Sequence, residues 1–259
     1  MRALFTAATG MEAQQTRIDT IANNLANVST TGFKKSRPEF EDLFYETLAA
    51  PGAQDGSGAA LPTGAQIGHG VKLASVTRVS TQGERVQTGR DLDVAIEGEG
   101  YFQVQSATGE TLYTRDGSFQ RDRDGNLVTR AGLLVNPAVQ IPIDVRDVTI
   151  LADGTVSGVP AGQTQPAVLG QIEVARFANP SGLRALGSNL FAPSDASGDP
   201  EVGTPSQNGF GAISQGFVES SNVNMAEELV RMILAQRAFE VNSRVIQASD
   251  EMLQRAANL

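Results

Sequence analysis

Between Met225 and Leu253 an apolar side chain returns every seventh residue: Met225, Met232, Phe239, Ile246 and Leu253. That is the period of an α-helix laid along a partner. No Gly or Pro falls between Asn224 and Leu259, so one helix of roughly 50 Å is expected, at about 1.5 Å per residue. Asn224 stands where an N-cap belongs, and Glu227 three residues on completes a capping box. Glu227 and Glu228 suit the positive end of the helix dipole, and Arg255 the negative end. Glu227/Arg231, Glu240/Arg244 and Glu251/Arg255 are acid-to-base pairs at i,i+4, each contributing about 0.2–0.5 kcal/mol. A second apolar row, Leu234, Val241 and Ala248, runs beside the first. A lone surface helix needs one stripe. Two stripes predict contacts on two sides, as in a bundle or a polymer.

The other end of the chain repeats the pattern. Leu4, Met11, Ile18 and Leu25 form one row, and Ala7, Ile21 and Val28 another, with Gln14 filling the gap. A helix from about Arg2 to Val28 follows, with Gly32 as its stop signal. Asn23, Asn24 and Asn27 sit beside this seam. Asparagine is a poor helix former, because its amide competes for the backbone. Such a cluster marks either a frayed, solvated helix end or a set of amides that fixes the register of neighbouring helices.

The middle of the chain changes period. Val71–Val79, Asp93–Gly98, Tyr101–Gln105 and Leu127–Thr129 alternate or run apolar and predict strands. Asp116-Gly117, Asp124-Gly125 and Asp153-Gly154 read as hairpin-type turns. Ala49–Gly70 and Asn189–Gly211 are rich in small and turn-forming residues and read as loops. The expected class is therefore α+β: N- and C-terminal helices forming a coiled-coil-like core, with antiparallel β domains interposed. The seams are far apart in sequence, so the helices pair with each other or with copies of themselves.

Chemistry has little to rest on. The formal net charge is −9, against a nucleic-acid partner, since phosphate neutralisation needs clustered Lys and Arg. There is no Cys, which excludes thiol catalysis, thiolate metal sites and disulfides. The opening MRALFTAATGMEAQQTR turns polar too early for a signal peptide, and no run of about 18 apolar residues predicts a membrane span. The one histidine, His69, stands in a Gly-His-Gly run with no triad logic around it. Asp122 to Asn126 opens like a calcium loop, but Leu133 occupies the twelfth position and the glycine comes two places early. A hairpin is the simpler reading. Asp91/Asp93 and Glu97/Glu99 flank glycines, as on a solvated strand face. The Asn27-Val28-Ser29 sequon means nothing without a glycosylating compartment. No Walker A, GxSxG or HExxH pattern occurs. No catalytic, cofactor-binding or metal-binding residue is expected, and no cofactor.

Three long stretches carry a resemblance: IANNLANVSTTGFKKSRPEFEDL (Ile21–Leu43), DVAIEGEGYFQV with YTRDGSFQRDRDGNLVTRAG, and FVESSNVNMAEELVRMILAQRAFEVNSRVIQASDEML (Phe217–Leu253). Together with the overall length they resemble the rod and hook family of bacterial flagellar axial proteins over nearly the whole chain. The FEDLFYETL segment and the PGAQ…LPTGAQIGHGVK insertion resemble the distal-rod branch most. The resemblance implies a subunit that polymerises helically into a rigid hollow shaft carrying torque from motor to hook. It implies a terminal-helix core of residues 1–32 and 222–259 and a connecting β region of 33–90 and 194–221, with an extended segment at 46–70. A β-rich outer domain is implied at 91–193.

The implied partners are copies of itself, proximal rod proteins, hook protein, the P- and L-ring bushing, the rod cap and the flagellar type III export apparatus. The implied location is the basal body, from periplasm to outer membrane, reached without a cleaved signal peptide. The subunit interface would use Leu4, Met11, Ile18, Ile21, Asn23, Asn24, Leu25, Asn27, Met225, Met232, Phe239, Ile246 and Leu253. There the amides would link neighbouring helices without burying charge. Pro51, Gly52, Leu61 and Pro62 would belong to a segment that stiffens the shaft. Competing readings are a proximal rod subunit, a partner-binding module on a coiled-coil stalk, and a hydrolase using the acid pairs.

Overall fold

The computed structural model describes residues 2–50, 63–162 and 165–257. Pro51, Gly52, Leu61 and Pro62 of the expected stiffening segment lie outside them. The chain divides into two compact units, one of residues 1–26, 36–78 and 224–259, the other of 27–35 and 79–223.

The first unit holds both helices, α1 (Arg2–Ala26) and α2 (Met225–Ala257). The Asn224 cap forms: its side-chain oxygen accepts from the amides of Ala226 at 3.1 Å and Glu227 at 3.2 Å. Of the three expected ion pairs one forms, Arg231 with Glu227 at 2.5 Å. Glu240 instead takes Arg237, at 3.1 Å, one turn towards the N-terminus. The helices pack antiparallel, since Asn24 meets Glu228 while Gly10 faces Asn242.

The faces they bury follow the expected seams in part: Ala7 and Ile21 of the second α1 row turn inward, whereas neither expected row of α2 does. On α1 the buried residues are Ala7, Ala13, Thr20, Ile21 and Asn24. On α2 they are Glu228, Ala235 and Ser249, with Asn242 half-buried on the same seven-residue row. Leu4, Met11, Ile18, Leu25, Met232, Phe239 and Ile246 are only half-buried, and Met225 and Leu253 are exposed. Small side chains let the backbones approach: a Cβ on Gly10 would lie 2.9 Å from the Asn242 amide nitrogen. Bulkier apolar rows cannot sit at that closest line and flank it instead.

The same unit holds two antiparallel ribbons. Strand β1 (Ser36–Asp42) pairs with β4 (Val71–Arg78), with a bulge between Glu39 and Phe40, and β2 (Tyr45–Ala49) pairs with β3 (Ala65–Gly68). The two ends of the expected Ala49–Gly70 loop are thus paired strand.

The second unit carries the remaining strands. They are β5 (Arg85–Gln87), β6 (Val94–Glu97), β7 (Tyr101–Gln105), β8 (Thr111–Thr114), β9 (Gln120–Arg121), β10 (Leu127–Val128), β11 (Leu134–Val135) and β12 (Val145–Ile150). Then follow β13 (Thr155–Pro160), β14 (Ala167–Gln171), β15 (Val174–Arg176), β16 (Arg184–Gly187), β17 (Leu190–Ala192), β18 (Glu201–Gly203), β19 (Ala212–Gln215) and β20 (Phe217–Glu219). A nine-stranded sheet runs β16-β17-β8-β7-β11-β10-β9, with β15 bridging β7 and β18. A three-stranded sheet β12-β13-β14 and the pairs β6–β19 and β5–β20 complete it, and every pairing is antiparallel.

The core is aliphatic with few rings: Val94, Ile96, Phe102, Phe119, Leu127, Val139, Ile141 and Ile172. A second cluster stacks Tyr113 edge-on against Phe177 at 4.8 Å. Asp124-Gly125 and Asp153-Gly154 close the β9–β10 and β12–β13 hairpins, both glycines at positive φ. Asp116-Gly117 does not make a hairpin, because β8 and β9 pair with other strands. A Cβ on Gly117 would lie 1.7 Å from the Val94 carbonyl oxygen, so close approach explains this glycine. The expected Asn189–Gly211 loop contributes β17 and β18; its strands are three residues each, too short for alternation to show.

Candidate assembly surface

His69 Nε2 sits 3.8 Å from a Glu46 carboxylate oxygen. Asp122 to Asn126 is the tip of a hairpin. Glu97 pairs with Arg85 at 2.6 Å. Asp93 departs from the expected solvated face: it is buried, with Arg90 at 3.7 Å. Among the described residues no group of three or more His, Asp and Glu could hold a metal ion, and no helix is long and apolar enough to cross a membrane.

The helix pair offers a different kind of site. With the row of Glu228, Ala235, Asn242 and Ser249 turned inward, α2 leaves Val230, Leu234, Val241, Val245 and Met252 exposed. Advancing about 100° per residue, these five side chains fall within one stripe about 60° wide. The exposed Leu234, Val241 and Ala248 row belongs to it. A contiguous apolar stripe of this kind marks an interaction surface.

The amides behave differently from one another. Asn24 is buried, and its side chain is engaged within its own chain. It accepts from the Ser36 amide at 2.9 Å, donates to the Ser36 carbonyl at 2.9 Å, and donates to Glu228 at 3.4 Å. It ties the end of α1 to the start of β1 and, through Glu228, to α2 within the same chain. Its partner Glu228 is a carboxylate, so charge is buried there after all. Asn27 accepts from the Thr30 hydroxyl at 3.1 Å, and Asn23 is exposed. Beside Asn24 an open pocket of about 310 Å³ is lined by Arg17, Ile21, Pro38, Glu228, Arg231 and Leu234.

Sequence reasoning missed a buried ionic cluster in the second unit. Glu219 accepts from Lys34 at 2.5 Å, from Arg115 at 2.6 Å and from the Gly83 amide at 2.9 Å. The side chains of Glu219, Lys34 and Arg115 are 0%, 3% and 5% exposed. Arg115 also donates to the carbonyls of Ile96, Gly98 and Gly100, and Lys34 to that of Thr81. Burial pushes the Glu219 carboxyl upward, but Arg115 and Lys34 outweigh it and hold the group below the usual carboxylate range. The cluster pins Asn27–Lys35 to the β unit. Its only sequence signal was a carboxylate set among the apolar residues Phe217 and Val218 of a strand.

Three family profiles match. "Flagella basal body rod protein" covers residues 4–34, "Flagellar hook protein FlgE/F/G D1 domain" 95–158, and "Flagellar basal body rod FlgEFG protein C-terminal" 214–259. The flagellar basal-body rod protein FlgG of Buchnera aphidicola subsp. Acyrthosiphon pisum is 50% identical over 99% of this chain and 98% of its own length. That of Borreliella burgdorferi is 49% identical over 100% and 98%, and that of Bacillus subtilis 42% over 100% and 99%. At such identity across both full lengths, the chain belongs to the flagellar basal-body rod proteins and is a structural subunit of the rod.

Proposed function

We propose that the chain stacks helically on copies of itself to form the hollow distal rod, a stiff shaft carrying torque from motor to hook. The observation behind this reading is the exposed apolar stripe of α2. A monomer gains nothing by leaving Leu234 and Val241 in water, whereas a lattice that buries them stabilises every subunit. Torque transmission needs no reactive group, only contacts repeated by a rotation that does not close.

In this reading α1 and α2 form the coiled-coil-like inner layer of residues 1–32 and 222–259, and residues 91–193 lie outside it. Met225, Met232, Phe239, Ile246 and Leu253, with Leu4, Met11, Ile18 and Leu25, complete their burial against neighbouring subunits. The neighbours along the shaft are proximal rod proteins and hook protein, with the P- and L-ring bushing around it. The shaft runs from periplasm to outer membrane, and the subunit reaches it through the type III export apparatus. Electron microscopy of basal bodies tests the reading. Cells lacking the chain should stop at a short proximal rod, and a full-length rod without it would overturn the assignment.

A further inference from the structure

The two ends of the helix pair are unlike. One end joins the last turns of α1 to the first turns of α2 and holds the pocket of about 310 Å³. There the Glu228 carboxylate, 1% exposed, has long partners: Arg231 at 3.3 Å and Asn24 at 3.4 Å. Charge-assisted bonds run to about 2.7–2.9 Å, so this buried carboxylate is short of donors. At the rim, Arg17 lies 5.5 Å over the Phe40 ring and forms no ion pair among the described residues. Arg37 and Arg231 have carboxylates of their own, Glu39 at 2.9 Å and Glu227 at 2.5 Å. At the other end, on the last turns of α2, Glu251 and Arg255 stand at i,i+4, where a pair is expected. They form none among the described residues, and Met252 is exposed beside them. One end thus offers an acidic floor, a cationic rim and apolar walls; the other offers a cation, an acid and an apolar side chain.

We infer that the C-terminal turns of α2 in one copy seat in this pocket of the next copy, with Arg255 toward the floor that holds Glu228, Glu251 toward Arg17, and Met252 on the exposed Leu234. The inference rests on the reading of the chain as a self-stacking subunit. Donor and acceptor surfaces differ, so every copy that docks presents a fresh pocket, and the series grows instead of closing as a pair.

The chain has no Cys, so introduced thiols report cleanly. Leu234 and Met252 are each 64% exposed. They are separated by 18 residues of one helix, roughly 27 Å. A disulfide needs Cα atoms within about 7 Å, so the pair cannot close within one chain. Basal bodies from cells carrying Leu234→Cys with Met252→Cys, once oxidised, should give a ladder of dimers, trimers and higher species on a non-reducing gel. Each single variant should give monomer. Monomer alone from intact rods of the double variant overturns the inference, as does crosslinking by either single variant. Exchanging the charges, Glu251→Arg with Arg255→Glu, keeps the net charge and should cut the chain's incorporation into basal bodies at least tenfold at unchanged cellular level. Unaltered incorporation would overturn it too. Failure of the subunit reading looks different, because the wild-type chain itself would then be missing from basal bodies.

Discussion

Arg115 donates to Glu219 at 2.6 Å with both side chains out of water, and Lys34 closes on the same carboxylate from residue 34, 185 positions away. Replacing Glu219 by Gln leaves two buried cations without their anion. A cost of about 3–5 kcal/mol is expected, read as a lower urea midpoint for the full chain. The pH dependence follows from the carboxyl being held low in the fold. The unfolded chain takes up this proton at a higher pH than the folded one. The stabilisation is therefore complete above the ordinary carboxylate range and disappears as pH falls through the depressed folded value. The deficit of Glu219→Gln against wild type should be full at neutral pH and shrink in acid. An equal deficit at every pH would assign the loss to packing instead.

The same cluster sets where the β unit can be cut. A fragment of residues 33–218 stops just short of Glu219 and should melt well below one of residues 27–223, which keeps the whole cluster. Circular dichroism melts of the two fragments compare them directly, and equal midpoints would mean that the ionic cluster contributes nothing to the fold.

Two substitutions on α2 separate folding from assembly. Val241 is 58% exposed, so Val241→Asp should change the stability of the chain by no more than about 0.5 kcal/mol. In a lattice the same carboxylate would be buried without a partner, at a cost of several kcal/mol. The variant should fold, yet swarm plates should show no motility. Ile246→Asp, half-buried in the pair, should lower stability as well. A motile Val241→Asp strain would remove the stripe from the interface.

His69→Ala should swim like wild type, because the ion-pair contact of the His69 side chain among the described residues is a long one, to Glu46 at 3.8 Å. A non-motile strain with normal protein level would give His69 a role that its surroundings do not supply.

Deleting Gly52–Gly64 should leave the helices intact and allow assembly. Pro51 and Pro62 restrict the backbone, and a segment laid across neighbouring copies would resist sliding between them. Rods of the deleted chain should therefore be curved in micrographs. Straight rods would return the segment to a tolerated insertion.

How far the sequence could be read depended on range. Helix ends were legible because their signals are local: Asn224 caps α2 within three residues of itself. Strands such as Tyr101–Gln105 were legible because they run apolar or alternate over five residues. The inward face of α2 was not, because two rows share the seven-residue period. Hydrophobicity favoured Met232, Phe239 and Ile246, while close approach favoured Ala235 and Ser249, and a polar contact with Asn24 took Glu228 inward. Gly10 and Ala13 on α1 were the available hint, since small residues mark lines of close contact. The ionic cluster was hidden for another reason. Arg115 and Glu219 are 104 residues apart, and no pattern along the chain connects them.

The Lys34–Glu219 bond also changes the problem the two helices face in finding each other. Asn24 and Glu228 are 204 residues apart, a long loop to close. Once Lys34 and Glu219 are held together in the β unit, the covalent route from Asn24 to Glu228 through that bond is about 19 residues, and the loop-closure entropy falls by about 2 kcal/mol. The β unit thus acts as a clasp: its folding brings two distant helices within a short tether of each other.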